Sequence, residues 1–235
     1  GAALLDGTLI APGEEFSLLD NLRPFTLDNG YLAELVIKAA EGRTTPEIGG
    51  GLCQIGTTMF RVALDAGLPI TARANHSYRV SYYEPPVGMD ATIYDPAPDF
   101  KFINDTGNWL LLTTHVSGTT LTFELWGTKD GRIAKTSEPE ISNIKKPPEK
   151  KIIETLDLPP GKIKCTEKAH IGSDAKFTYT VTYADGQVKE KEFFSRYRPW
   201  QEVCLLGVEK LTTEEPPPEE VPLAPDTAPP IIIQN

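Results

Sequence analysis

Between residues 31 and 41, Leu32, Leu35, Val36, Ala39 and Ala40 recur at helical spacing, with Gly30 before them and Gly42 after. This pattern predicts an amphipathic helix. A second helix is predicted over 54–66, where Ile55, Met59, Val62 and Ala66 form one stripe and Gly67 and Pro69 end it. The period then changes. Tyr78, Val80 and Tyr82 alternate with Arg79, Ser81 and Tyr83, with His76 in phase, which predicts a strand. Further strands are expected over 91–94, 100–104, 109–116 and 121–126. The last three are separated by Asp105-Thr106-Gly107-Asn108 and Ser117-Gly118-Thr119-Thr120, sequences suited to hairpin turns. The expected class is α+β, with two helices packed on an antiparallel sheet rather than alternating βαβ units.

The pattern weakens from residue 135. Residues 135–151 are polar and charged, include Pro139, Pro147 and Pro148, and read as a linker. A small all-β module is expected over 152–209, because runs at 176–183 and 187–194 flank the turn sequence Ala184-Asp185-Gly186. The tail, 210–235, holds seven prolines and five carboxylates. It buries too little apolar surface to offset ordering and is expected to be disordered or polyproline-like. The expected domains are 1–134, the linker, the β module and the tail.

Composition narrows the function. The 235 residues carry a formal charge of −10 and a pI near 4.9. No nucleic-acid partner is expected, since that needs a basic face against the phosphates. No apolar run approaches the ~20 residues of a membrane helix. The chain opens on Gly1 without an initiator Met, so it reads as a trimmed chain, which leaves room for an upstream signal peptide or membrane anchor. Cys165 and Cys204 bracket the β module, where an oxidising compartment would allow a disulfide. Cys53 stands apart as a candidate reactive thiol.

The candidate chemistry gathers around Cys53. Gly49-Gly50-Gly51 precede it and a predicted helix follows. Unpaired N–H groups and the helix dipole favour a thiolate there. N–H groups around Gly50, Gly51 and Gln54 can also stabilise an oxyanion. A thiolate nucleophile needs a proton carrier, and His76 follows in Asn75-His76-Ser77. Asp90, after Pro85-Pro86-Val87-Gly88-Met89, is the candidate to orient the imidazole, with Asp95 in reserve. Singly, a His at a strand start and an Asp after a turn are common for structural reasons. The order Cys, His, Asp, with glycines before the thiol and a helix after it, favours nucleophilic catalysis. The chain has no His-Glu-x-x-His, Cys-x-x-Cys, Walker or dinucleotide fingerprint. A zinc site of Cys53, His76 and Asp90 fits the glycine-rich approach to the helix less well. No metal and no cofactor are expected, and His115 and His170 read as structural.

Residues 49–58 (GGGLCQIGTT), Asn75-His76-Ser77, residues 85–90 and Asp99-Phe100-Lys101-Phe102-Ile103-Asn104 resemble the VanW domain family, as does Pro12-Gly13-Glu14-Glu15-Phe16-Ser17. The motifs occur in the family's order over about residues 8–128. The β module resembles, more loosely, the small five-glycine (G-five) domain found in bacterial surface proteins. That likeness rests on Pro160-Gly161, Gly172, Tyr179-Thr180-Val181, Asp185-Gly186 and Tyr197-Arg198-Pro199.

The resemblance implies a bacterial, extracytoplasmic protein bound to the cell wall or anchored in the membrane. Its implied activity is peptidoglycan L,D-transpeptidation through a cysteine nucleophile, here Cys53, with His76 carrying the proton and Asp90 orienting it. The partners would be peptidoglycan stem peptides, with cell-wall glycan at the β module. Gln54, Asn75, Ser77 and Arg79 would bind substrate, Arg79 being suited to a stem carboxylate. A helix-borne Cys followed by His and Asp on strands is similar, as an architectural analogy, to papain-like and transglutaminase-like enzymes. Two alternatives stay open: a non-catalytic wall-binding module, and a cysteine peptidase or carboxypeptidase acting on the same stems.

Overall fold

The computed structural model describes residues 1–38, 43–49 and 51–212, without the side chains of 34–38 and 43–46. The chain opens with one helical turn, α1 (Ala2–Leu5), then β1 (Thr8–Ile10) and β2 (Glu15–Ser17). In α2 (Leu18–Leu22) the Ser17 hydroxyl caps the first turn, accepting from the Asp20 N–H at 3.1 Å. An antiparallel hairpin follows, β3 (Ala33–Lys38) with β4 (Arg43–Ile48), and leads into the long helix α3 (Leu52–Asp65). After β5 (Ile70–Ala72) comes an irregular crossing with a single 3₁₀ turn at Ser81–Tyr83. β6 (Lys101–Ile103), β7 (Leu110–Ser117) and β8 (Thr120–Trp126) complete this region. They build two antiparallel sheets, β1-β7-β8 and β2-β6-β5.

The rest is strand: β9 (Ile133–Thr136), β10 (Glu140–Lys145), β11 (Lys151–Thr155), β12 (Ile163–Glu167), β13 (Gly172–Thr182), β14 (Val188–Tyr197) and β15 (Val203–Gly207). The long β13–β14 hairpin carries β9 and β10 on its other edge, while β11 and β12 flank β15. The stretch read as linker at 135–151 therefore supplies sheet strands. Cys165 and Cys204 face each other in the β12–β15 register and are joined by a disulfide. The expected tail lies outside the described residues from 213 onward.

The class is α+β and mostly sheet, but three expected elements differ. The helix predicted over 31–41 is β3 instead, with its last residues, 39–41, outside the described residues. Short apolar runs satisfy either period, and a partner decides: Val36 and Ile37 pair with Thr45 and Thr44 across the hairpin, where β-branched residues are well placed. The alternating run at 76–83 is no strand, because its main-chain groups bond elsewhere. The Ser77 carbonyl accepts from the Arg198 N–H, and the Tyr83 N–H turns back to the Val80 carbonyl. Residues 91–94 run past α3 without joining a ladder; the Thr92 N–H reaches the Ala74 carbonyl at 2.8 Å.

One core serves both regions. On α3, Ile55, Met59, Phe60, Ala63 and Leu64 are buried among Leu5, Leu22, Phe100 and Phe102. The Phe60 ring lies edge-on to Phe100 at 5.8 Å and to Phe193 of β14 at 5.3 Å. The Tyr179 hydroxyl of β13 donates to the Leu68 carbonyl. Removing a buried Phe from such a core costs about 3–5 kcal/mol, so Phe60 ties helix and hairpin into one cooperative unit. That packing is what brings the end of β14 to the site.

Candidate functional site

Cys53 stands in the first turn of α3, behind Gly51, whose φ of +84° is the left-handed conformation that glycine adopts without strain. The free thiol is half-buried and donates to the Ile93 carbonyl at 3.6 Å. Gly56 makes that approach possible: a Cβ there would stand 2.5 Å from an Ile93 side-chain carbon. Thr57 fastens the two segments, its hydroxyl accepting from the Ala91 N–H at 3.0 Å. Residues 90–93 are thereby fixed against the helix that carries the thiol.

Asp90 and His76 meet behind Cys53, each only 4% exposed. Asp90 Oδ2 accepts from the His76 N–H at 2.8 Å and lies 2.5 Å from His76 Nδ1. The other oxygen, Oδ1, accepts from the Tyr197 hydroxyl at 2.5 Å and from Arg73 at 3.2 Å. Arg73 is buried too. It also donates to the Asp90 and Gly88 carbonyls and to Ser195 Oγ. Four donors from three other residues leave the carboxylate without freedom to turn; one of those residues, Tyr197, belongs to β14, and a second, Arg73, is itself held by Ser195 of that strand.

These contacts set the charges. Burial alone would raise the Asp90 pKa, but the His76 hydrogen bond, the charges of His76 and Arg73 and the Tyr197 hydroxyl outweigh it, and the value falls to about 2. Burial likewise works against a charged His76. Hydrogen bonds to Asp90 and Cys53, with their charges, prevail and raise its pKa to about 9. Burial and the Asp90 charge push the Tyr197 phenol well up, so it remains a donor. With Nδ1 held by Asp90, Nε2 is the imidazole nitrogen left for the thiol. A thiol, an imidazolium and a fixed carboxylate in line form the arrangement of a cysteine nucleophile with its proton carrier. It opens into a cleft of about 810 Å³, a size that takes a small peptide.

A family model described as "VanW like protein" matches residues 1–126. The chain belongs to the VanW-like family. Among its curated relatives is the Uncharacterized protein YoaR of Bacillus subtilis (strain 168), 31% identical over 125 residues, which are 53% of this chain and 40% of that protein. Another is the Vancomycin B-type resistance protein VanW of Enterococcus faecalis (strain ATCC 700802 / V583), 34% identical over 133 residues, 55% of this chain and 42% of that protein. The aligned part thus spans about two-fifths of each relative's length.

All three residues of the expected line, Cys53, His76 and Asp90, lie in the matched part of this VanW-like chain, and the structure brings them together. His76 and Asp90 stand on loops rather than strands. Gly51 and Gln54 line the cleft, but the Gln54 N–H already donates to the Gly51 carbonyl at 3.1 Å, and Gly50 lies outside the described residues. Asn75 is a brace, donating to the His76 and Arg196 carbonyls. Ser77 lines the cleft. Arg79 is not brought to the cleft lining: its guanidinium pairs with both oxygens of Glu84. Asp95 lines the cleft but pairs with Arg23, away from the imidazole. Arg73 went unread in the sequence, and Tyr197 and Arg198 were read only as part of the β module, not as site residues. Nothing local marks Arg73, and the other two stand at the end of β14, far along the chain from the motifs they join.

Proposed function

We propose that this VanW-like chain is a bacterial cell-wall acyltransferase that makes 3-3 crosslinks between peptidoglycan stem peptides through Cys53. The observation that carries the reading is the Cys53–His76–Asp90 line at the floor of a peptide-sized cleft. The vancomycin-resistance name of one relative supports a place at the cell wall and hence outside the cytoplasm. The Cys–His–Asp line on a helix and two loops keeps the papain-like analogy at the level of chemistry. The β module would hold the wall glycan.

In the first half-reaction the Cys53 thiolate attacks the carbonyl of the third stem residue. The resulting oxyanion faces the start of α3, where the Cys53 N–H has no partner among the described residues. The C–N bond to the terminal D-alanine breaks, its nitrogen leaves as an amine with the proton from His76, and a thioester remains. A histidine held charged at neutral pH suits that donation. In the second half-reaction the side-chain amine of a diamino acid on another stem attacks the thioester. His76 takes its proton, an amide forms, and the Cys53 thiolate is regenerated beside the imidazolium.

Intact-mass spectrometry after mixing the protein with a disaccharide-tetrapeptide tests this. The expected result is an adduct lacking D-alanine on wild type and absent from Cys53→Ala, with crosslinked dimer in solution. Free tripeptide in place of dimer would make the protein a hydrolase. No adduct, with sacculi still retaining the protein, would make it a wall-binding module.

A further inference from the structure

The two regions of the chain meet at the cleft, and the arginines among its described lining residues, Arg196 and Arg198, both come from the second one. Their situations differ. Arg196 is engaged, its Nε 3.2 Å from Asp174 and its guanidinium over the Phe194 ring at 5.4 Å. Arg198 is exposed and has no side-chain hydrogen bond or ion pair among the described residues. Its backbone is fixed all the same. The Arg198 N–H donates to the Ser77 carbonyl at 2.7 Å, which anchors a free guanidinium one residue from His76.

Two further atoms at this place lack partners. Ser77 Oγ and Thr92 Oγ1 are buried without a hydrogen bond, and both residues line the cleft. A buried hydroxyl left unpaired costs about 1–3 kcal/mol, and native proteins keep few of them unless something else fills the need. The acidic lining residues are engaged elsewhere: Glu47 accepts from the Tyr94 hydroxyl, and Asp95 pairs with Arg23. An anionic ligand group entering the cleft therefore finds its unpaired cation in Arg198 and an unpaired donor in the Ser77 hydroxyl.

We propose that Arg198, with Ser77, is the carboxylate-reading subsite of the cleft, so that its ligand is a peptide whose free terminal carboxylate lies just beyond the carbonyl facing Cys53. The inference rests on the acyl-transfer reading for the identity of that carbonyl, and it adds the polar handle by which the leaving residue is recognised. It also gives the second region a part in specificity. Without the second region the cleft would keep its nucleophile and lose both of its described lining arginines.

The test is binding, with turnover blocked by Cys53→Ala. Calorimetry compares the tetrapeptide L-Ala-γ-D-Glu-L-Lys-D-Ala with its terminal carboxamide. The carboxylate form is expected to bind about tenfold or more tightly, in line with a charge-assisted hydrogen bond. Adding Arg198→Gln should bring the two peptides to equal affinity, and Arg198→Lys should restore part of the preference. The Arg198 side chain supports nothing else, so both variants should melt with the parent. Equal binding of the two peptides, binding of neither, or a preference that survives Arg198→Gln overturns the subsite. A Cys53 adduct formed without a carboxylate preference overturns the subsite alone. A carboxylate preference with no adduct on the wild type overturns the acyl-transfer reading and leaves a binding cleft.

Discussion

Two aspartates lie five residues apart along the chain, each beside an arginine, and they have different work. Asp90 and Arg73 are 6% and 4% exposed at the side chain, whereas Asp95 and Arg23 are 47% and 36% exposed. Asp90 receives hydrogen bonds from His76, Arg73 and Tyr197. Asp95 receives Arg23 alone, at 2.9 Å from Nε, and that arginine is shared with Asp20. Either carboxylate could have oriented the imidazole on sequence grounds. Burial and the number of donors decide: one is a fixed negative charge beneath a histidine, the other a surface ion pair in high dielectric.

The sharpest way to break this comparison is to remove the charge from Asp90 without changing its shape. Asp90→Asn leaves Arg73 and an imidazolium buried without their counter-ion. Such a loss costs about 3–5 kcal/mol, read as a fall in urea-denaturation stability at pH 7. Formation of the Cys53 adduct should slow by about 10²-fold or more, because the imidazole loses both its orientation and its charge partner. A protein that kept its stability would place Asp90 in the same class as Asp95.

A pH titration gives a smaller but more specific signal. His76 is raised from its ordinary 6.5 to about 9, so its contribution to stability is complete below 6.5 and is lost as pH rises through 9. Asp90 is lowered from 3.8 to about 2, so its contribution is present above 3.8 and is lost as pH falls through 2. Between those limits both charges hold. In an NMR titration the His76 imidazole should turn near pH 9 in wild type and in Asp95→Asn alike. In Asp90→Asn burial then acts with less opposition, and the midpoint should fall by about one unit or more. An unchanged midpoint would mean that Asp90 does not hold the charge.

The same contrast explains what the sequence made legible. The line of Cys53, His76 and Asp90 could be read because its members lie close along the chain, between local signals: glycines before a helical stripe, a turn before a carboxylate. Helix α3 and the β13–β14 hairpin were equally readable, the one from Ile55 and Met59 at helical spacing, the other from Asp185-Gly186 between alternating runs. The surroundings were not. That Asp90 rather than Asp95 is the fixed carboxylate shows only in its distant partners: Tyr197, which bonds to it, lies 107 residues beyond it in the chain. Arg79 matched the chemistry of a carboxylate reader, yet Glu84, five residues on, took it first. Tertiary packing likewise overrode period at 31–41 and 76–83, where a hairpin partner in one case and main-chain bonds to Arg198 and within a 3₁₀ turn in the other decided the backbone.

The surface pair offers the finest test. Arg23 and Asp95 are both more than a third exposed, so screening and side-chain entropy cancel most of their attraction. Asp95→Asn should therefore cost less than about 1 kcal/mol, with Cys53 chemistry unchanged. In a double-mutant cycle with Arg23→Gln the coupling should be about 0.2–1 kcal/mol and shrink further in 1 M salt, where the Debye length falls to about 3 Å. Asp20 competes for the same guanidinium at 3.0 Å, so Arg23 keeps a partner when Asp95 is neutralised, which lowers the cost again. A coupling of about 3 kcal/mol, insensitive to salt, would mean that this pair is shielded as the Arg73–Asp90 pair is, and burial would no longer separate the two aspartates.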